Sequence, residues 1–305
     1  MNFFLETLKV IGLFFYYLLE SLVFLIVPKR KKNVNGEIVL ITGAGSGIGR
    51  LLSLKFASLG ATVVLWDINQ EGLKETSKLA RENGASRVHS YICDCSKRQD
   101  IYRVADQVKK EVGDVNILIN NAGIVIGKKF MDSPDPLVEK TMEVNTMAHF
   151  WTCKAFLPAM IASNRGHLVS IASGAALIGV SGLSDYCASK FAALGFAESI
   201  DFEMKSLRKA GIKTTIVCPY FINTGMFDGC KTKWPNMLPI LEPEYVADKI
   251  VTAIQREQEL LMLPRSLYFL YAFKSIFPAK IISLFMDYFG VSLAMDGFKG
   301  RAKEE

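Results

Sequence analysis

Apolar positions along this chain fall into three regimes. In residues 10–27 only Glu20 and Ser21 interrupt an apolar run, and Glu6 and Lys9 lie just ahead of it. From 33 to 258, short apolar runs alternate with amphipathic segments of helical length. Beyond Leu260, two aromatic-rich runs follow, parted by Pro278.

The middle regime predicts strands over 37–42, 61–66, 87–92, 115–119, 166–172, 213–218 and 259–263. It predicts helices from the first glycine turn through 59, then over 70–83, 98–112, 135–162, 185–209 and 243–257. Continuous apolar strands that alternate with helices make a parallel sheet buried on both faces. The expected class is α/β: a single doubly wound, Rossmann-type domain with a seven-stranded parallel sheet. No linker, repeat or low-complexity segment divides it. The expected organisation is a hydrophobic anchor with a basic flank over 1–32, the nucleotide-binding domain over 33–263, and an apolar lid or membrane-contacting segment over 264–305. Ligands of such sheets bind at the carboxyl ends of the strands.

A membrane-spanning helix needs about 20 apolar residues, and the N-terminal run is near that length. Glu20 is costly in hydrocarbon, by roughly 2.5–3.5 kcal/mol at a helix centre. A short tilted span and an interfacial helix therefore compete. A cleaved signal peptide fits less well, because the leading residues are not basic and no small-x-small site precedes Pro28. Lys29, Arg30, Lys31 and Lys32 follow at once, and the positive-inside rule places the chain after them in the cytosol. In the tail, Leu267, Tyr268, Leu270, Tyr271, Phe273, Ile276 and Phe277 precede Pro278, and Ile281, Ile282, Leu284, Phe285 and Met286 follow it. Each piece is too short to span.

Charge adds one exclusion. The chain has 305 residues and a net charge of +6, but residues 33–258 carry only +2. That near-neutral body lacks the broad basic face of a nucleic-acid binder. The six cysteines show no C-x-x-C pair and the three histidines are scattered, so no metal site is expected and a reducing compartment is the simpler reading.

Candidate chemistry begins with Thr42-Gly43-Ala44-Gly45-Ser46-Gly47-Ile48-Gly49, after the first strand and opening a helix. Glycines there let backbone approach a pyrophosphate, and the helix N-terminus meets its charge. Asp67 ends the second strand, where a carboxylate binds ribose hydroxyls and repels a 2′-phosphate. It favours NAD over NADP, with NADP kept open; capping the next helix is its plainer role, and Arg50 would soften the preference by meeting a phosphate. Asp94, after the third strand, is expected at the adenine edge, with Cys95 beside it. Tyr186 and Lys190 lie four apart on one helix face. A free phenol has a pKa near 10, and a nearby ammonium lowers it by about 1–3 units. Ser173, at a strand end, is able to reach the same reacting oxygen.

Together with Asn120-Asn121-Ala122-Gly123, Asn145 and Pro219…Thr224, these motifs resemble the short-chain dehydrogenase/reductase family over nearly all of 37–263. The phrases PKRKKNVNGEIVLITGAG, LWDIN, AHFWTCKAFLPAM and AMDGF resemble its membrane-associated group, which contains retinol and 17β-hydroxysteroid dehydrogenases. The resemblance implies oxidation of a lipophilic alcohol, all-trans-retinol first and a 17β-hydroxysteroid second, at endoplasmic reticulum or lipid-droplet membranes. It implies that Tyr186 is the general base or acid, that Lys190 lowers its pKa and holds the nicotinamide ribose, and that Ser173 orients the substrate. It further implies that Asn145 holds a relay water, that Asn121, Ala122 and Gly123 form a shelf beside the adenosine ribose, and that Pro219 and Thr224 bound the nicotinamide. One departure stands out: Tyr220 and Phe221 follow Pro219 where the family commonly has glycine. Ala175, Ala176, Leu177, Ile178, Val180, Phe221, Met226 and Phe227 are the expected apolar pocket wall, with no Arg or Lys among them. The resemblance also implies a homodimer paired through helices 135–162 and 185–209, at which the sequence itself only hints through Phe150, Trp151, Phe156 and Leu157. Two other classes stay in view: an NADP-dependent carbonyl reductase and a non-catalytic lipid-surface scaffold.

Overall fold

The computed structural model describes residues 3–85 and 87–300. The chain divides into two units, the first ending at Asn33 and the second starting at Val34. The first is a single helix, α1 (Phe3–Ile26). Its 22 residues from Phe3 to Phe24 are long and apolar enough to cross a membrane, and none is buried. It starts seven residues before the apolar run that begins at Val10, because Glu6 and Lys9 are good helix formers.

The second unit is built on seven parallel strands: β1 (Ile38–Thr42), β2 (Thr62–Asp67), β3 (Val88–Ile92), β4 (Ile117–Asn120), β5 (Gly166–Ile171), β6 (Ile212–Pro219) and β7 (Leu260–Leu263). Their order is β3-β2-β1-β4-β5-β6-β7. The helices are α2 (Gly47–Ser58), α3 (Gln70–Glu82), α4 (Arg98–Glu111), α5 (Asp135–Met142), α6 (Ala148–Ser163), α7 (Ser184–Ser206), α8 (Pro243–Gln255), α9 (Ser266–Ile276) and α10 (Ala279–Tyr288).

Strand alternation sends successive side chains to opposite faces. Val39, Ile41, Val63 and Leu65 pack with Leu52 and Phe56 of α2 and Ile250 and Ile254 of α8. Leu40, Val64 and Trp66 pack on the other face with Val104 and Val108 of α4 and Phe156 and Met160 of α6. Each of these buried side chains contributes roughly 1.5–3 kcal/mol. The strand order reverses direction between β1 and β4, which opens the crevice at their carboxyl ends.

Two expectations need correction. The helix expected over 135–162 is broken by one wide π turn, Glu143–Met147, with Asn145 inside it. Such turns mark functional sites more often than chance. Of the four residues that hinted at a dimer, Phe156 and Leu157 are buried core, Phe156 against Trp66 with ring centroids 5.8 Å apart. Core side chains cannot also face a partner. Phe150 is half-buried and packs on Phe196 of α7, centroids 4.1 Å apart.

Candidate active site

The glycine turn after β1 is held by its neighbours rather than by its own side chains. Gly43 has a φ of +67°, a region other residues rarely adopt. A Cβ on Gly49 would lie 2.0 Å from the Gly43 carbonyl oxygen, so only glycine fits there. Asn121 Nδ2 donates to the Thr42 carbonyl at 2.8 Å. Thr42 Oγ1 accepts from the Asn121 and Ala122 N–H groups, each at 3.0 Å. The end of β4 thereby fixes the turn that opens α2. The Ser46 side chain does not cap that helix, which leaves its first N–H groups for an anion.

Asp67 Oδ2 accepts from Gly45 N at 2.8 Å and Oδ1 from Asn69 N at 2.9 Å. The cap of α3 is Asn69, whose side chain accepts from Gly72 N at 2.9 Å, so Asp67 does not cap it. Arg50 is held elsewhere: it pairs with Glu75 at 2.7 Å and donates to Gly45 O at 2.6 Å and Thr76 Oγ1 at 3.1 Å. Its guanidinium, which could soften the cofactor preference by meeting a phosphate, is engaged here with protein groups. Asp94 accepts from Ser96 Oγ at 2.7 Å and from Lys140 Nζ at 3.4 Å. Partial burial opposes its ionisation, but the Ser96 hydrogen bonds and the Lys140 ammonium prevail and hold the carboxyl below its ordinary range. Nothing local in sequence announced Lys140, which reaches across from α5.

Ser173 follows β5, its Oγ accepts from Ala175 N at 3.1 Å, and its hydroxyl is near enough to the Tyr186 phenol to favour the ionised form. Tyr186 and Lys190 are both buried on α7. Lys190 Nζ donates to the Ile171 carbonyl at 2.9 Å and stands 5.6 Å from the centre of the Tyr186 ring. Burial lowers the ammonium's pKa to about 8. Burial pushes the Tyr186 phenol up from its ordinary value, with Ser173 pulling the other way. In the chain alone the phenol is thus held protonated.

Asn145 Oδ1 accepts from Ile124 N at 2.8 Å, and Nδ2 donates to Ile124 O at 2.9 Å and Ser189 Oγ at 3.0 Å. Ser189 Oγ in turn donates to the Tyr186 carbonyl at 2.8 Å. Both amide N–H groups of Asn145 are engaged with protein, which leaves only Oδ1 lone-pair capacity for a water. Ser189 lies inside the Tyr-x-x-x-Lys motif, three residues after Tyr186, and that spacing was the signal for it.

Two cavities meet at Tyr186. The larger, about 440 Å³, is lined by Gly43, Ser46, Gly47, Ile48, Gly49, Asp67, Asp94, Cys95, Asn121, Ala122, Gly123, Ser173, Tyr186, Lys190, Pro219 and Thr224. Every expected cofactor residue is therefore on one cleft, and Asn145 sits behind it. A volume of that order suits a small-molecule site. With the glycine turn, the open first turn of α2 and Asp67, the residues fit a nicotinamide dinucleotide. The smaller cavity, about 90 Å³, is apolar and runs from Ser173 and Tyr186 to α9 and α10. Ser173, Tyr186, Pro219, Tyr220 and Phe227 line both. Phe227 meets Tyr186 edge-on at 5.6 Å and Phe221 at 5.1 Å, so the residues after Pro219 make an aromatic partition.

Of the expected apolar wall, Ala175, Leu177, Ile178, Val180, Phe221 and Phe227 line the smaller cavity. Ala176 turns into the core instead, and Met226 lines the larger cleft. A cation does line the apolar cavity: Lys274 arrives from α9 and donates to the Leu177 carbonyl at 2.7 Å.

This sheet, glycine turn and Tyr186/Lys190 pair are those of an oxidoreductase, and residues 37–234 match the short chain dehydrogenase family. The chain belongs to that family. It is 60% identical over 308 residues to human epidermal retinol dehydrogenase 2, covering 100% of both chains. It is 46% identical to human estradiol 17-beta-dehydrogenase 11, covering 99% of this chain and 100% of that one. A metagenomic short-chain oxidoreductase solved in complex with NADP is 28% identical, with a TM-score of 0.64, over 76% of this chain and 97% of that one.

Proposed function

We propose that the protein is an NAD-dependent dehydrogenase of lipophilic alcohols, with all-trans-retinol as substrate and retinal as product. The observation that carries this is the shared wall: Ser173 and Tyr186 border both a polar dinucleotide-sized cleft and an apolar passage. An alcohol whose body fills the passage brings its hydroxyl to that wall. A nicotinamide cofactor supplies the hydride acceptor when bound and, in its oxidised form, a positive charge beside the phenol. Tyr186 takes the hydroxyl proton on oxidation and returns it on reduction. Ser173 Oγ donates to the reacting oxygen and steadies its developing charge. Lys190, protonated at neutral pH, adds its field beneath the Tyr186 ring, and Asn145 through Ser189 fixes where that ring stands.

Asp67 supports NAD: a 2′-phosphate would meet its carboxylate, and the neighbouring Arg50 is already paired with Glu75. The 60% identity to a retinol dehydrogenase supports the substrate. A 17β-hydroxysteroid is the second reading, favoured by Lys274, whose ammonium can meet a polar group at the far end of a steroid. The apolar helix α1 and the basic quartet after it support attachment to the endoplasmic reticulum or a lipid droplet with the catalytic unit in the cytosol. In this reading residues 1–32 anchor, 33–263 carry catalysis and 264–305 border the lipid. Turnover on membranes tests it. Retinol with NAD should be the preferred pair over 17β-estradiol and over NADP; steroid turnover without retinol turnover would overturn the substrate.

A further inference from the structure

Helices α9 and α10 are apolar on two sides. Leu267, Leu270, Phe273, Ile282 and Phe285 face inward and line the apolar cavity. Phe269, Ile276 and Leu284 face outward, exposed by 68%, 74% and 67%. A helix covering a water-soluble domain presents a polar outer face, and contiguous exposed apolar patches mark membrane or partner contacts. Across α9 and α10 with the residues that lead into them, 264–288, Arg265, Lys274 and Lys280 stand against one acid, Asp287. Arg265 and Lys280 are exposed. An apolar face with a cationic rim fits anionic headgroups over acyl chains, and like charge on a second copy would oppose self-pairing. A separate exposed apolar element, α1, is long enough to cross a bilayer.

We propose that α9 and α10 form a hairpin that docks on a lipid surface and is the entrance through which the alcohol passes from lipid to Tyr186. This rests on the lipophilic-alcohol reading. Lys274 ties the hairpin to the site, since its bond to Leu177 joins α9 to the segment that follows Ser173, and its ammonium stands 5.0 Å from the centre of the Phe191 ring.

The test uses the full chain on phosphatidylcholine vesicles containing one-fifth phosphatidylserine. In Leu284→Trp, brominated acyl chains should abolish most of the added indole emission, whatever the substrate proves to be. In the double variant Phe269→Glu/Leu284→Glu, neither residue lining the cavity, KM for retinol carried in vesicles should rise roughly tenfold. KM for retinol presented on soluble cyclodextrin should stay unchanged. Unquenched emission, or an equal rise in both KM values, would overturn the docking surface. Quenching without retinol turnover would leave the surface standing and sink the substrate reading alone.

Discussion

On one side of Tyr186 the site is made by backbone. The cleft over β1, β2 and β4 takes its shape from the turn at Gly43 and Gly49, the Thr42–Asn121 brace and the strand-end carboxylate of Asp67. On the other side it is made by side chains from distant places, with Leu177 and Val180 lining one cavity together with Phe273 and Phe285. The first arrangement binds a fixed ligand and tolerates little change. The second sets a shape and can vary while the chemistry stays. The tyrosine stands on the boundary, which lets one reacting pair serve an unchanging cofactor and a changeable substrate.

Removing the ammonium gives the largest effect on that boundary. Lys190→Met should lower kcat/KM by about 10²–10⁴-fold, read in steady-state kinetics. The same variant should be more stable. Burial depresses Lys190 to about 8 in the folded chain, while the unfolded chain keeps the proton to near 10.5. Between those values the unfolded state binds more protons, so wild-type stability rises with pH; below about 8 the burial penalty is fully present. Cofactor-free Lys190→Met should therefore melt about 2–4 °C higher at pH 7, with the advantage shrinking above pH 8. A lower melting temperature at pH 7 would show that the bond to Ile171 outweighs the burial cost.

A smaller pair of effects separates the two cavities. Asp67→Ser should raise the ratio of NADP to NAD kcat/KM by roughly 10²-fold and leave KM for retinol alone. Phe285→Ala should raise KM for retinol roughly tenfold and leave KM for NAD alone. If either substitution moved both constants equally, cleft and passage would be one site rather than two.

These halves also differ in how far the sequence disclosed them. The strands were legible within about two residues, because the central sheet is buried on both faces and β1, β2, β4 and β7 are largely apolar runs. The cleft was legible because its glycines, Asp67, Ser173 and the Tyr186/Lys190 spacing are local patterns with local physical reasons. The wide turn at Asn145 was hidden, since 135–162 reads as one unbroken segment of helical length. The passage was hidden for a different reason. Lys274 and Leu177 lie 97 residues apart, and nothing in an aromatic stripe says which cavity it will close. Charge was hardest to read: spacing alone suggested an acidic phenol, whereas burial dominates in the folded chain and keeps Tyr186 protonated.

Tyr186→Phe in the membrane-bound protein tests the central claim most directly, with cofactor binding, retinol binding and turnover measured on the same sample. Binding of both ligands should stay close to wild type while retinol oxidation falls at least about 10²-fold. Oxidation at the wild-type rate, with both ligands still bound, would contradict the assignment of Tyr186 as the proton-transferring group between the two cavities.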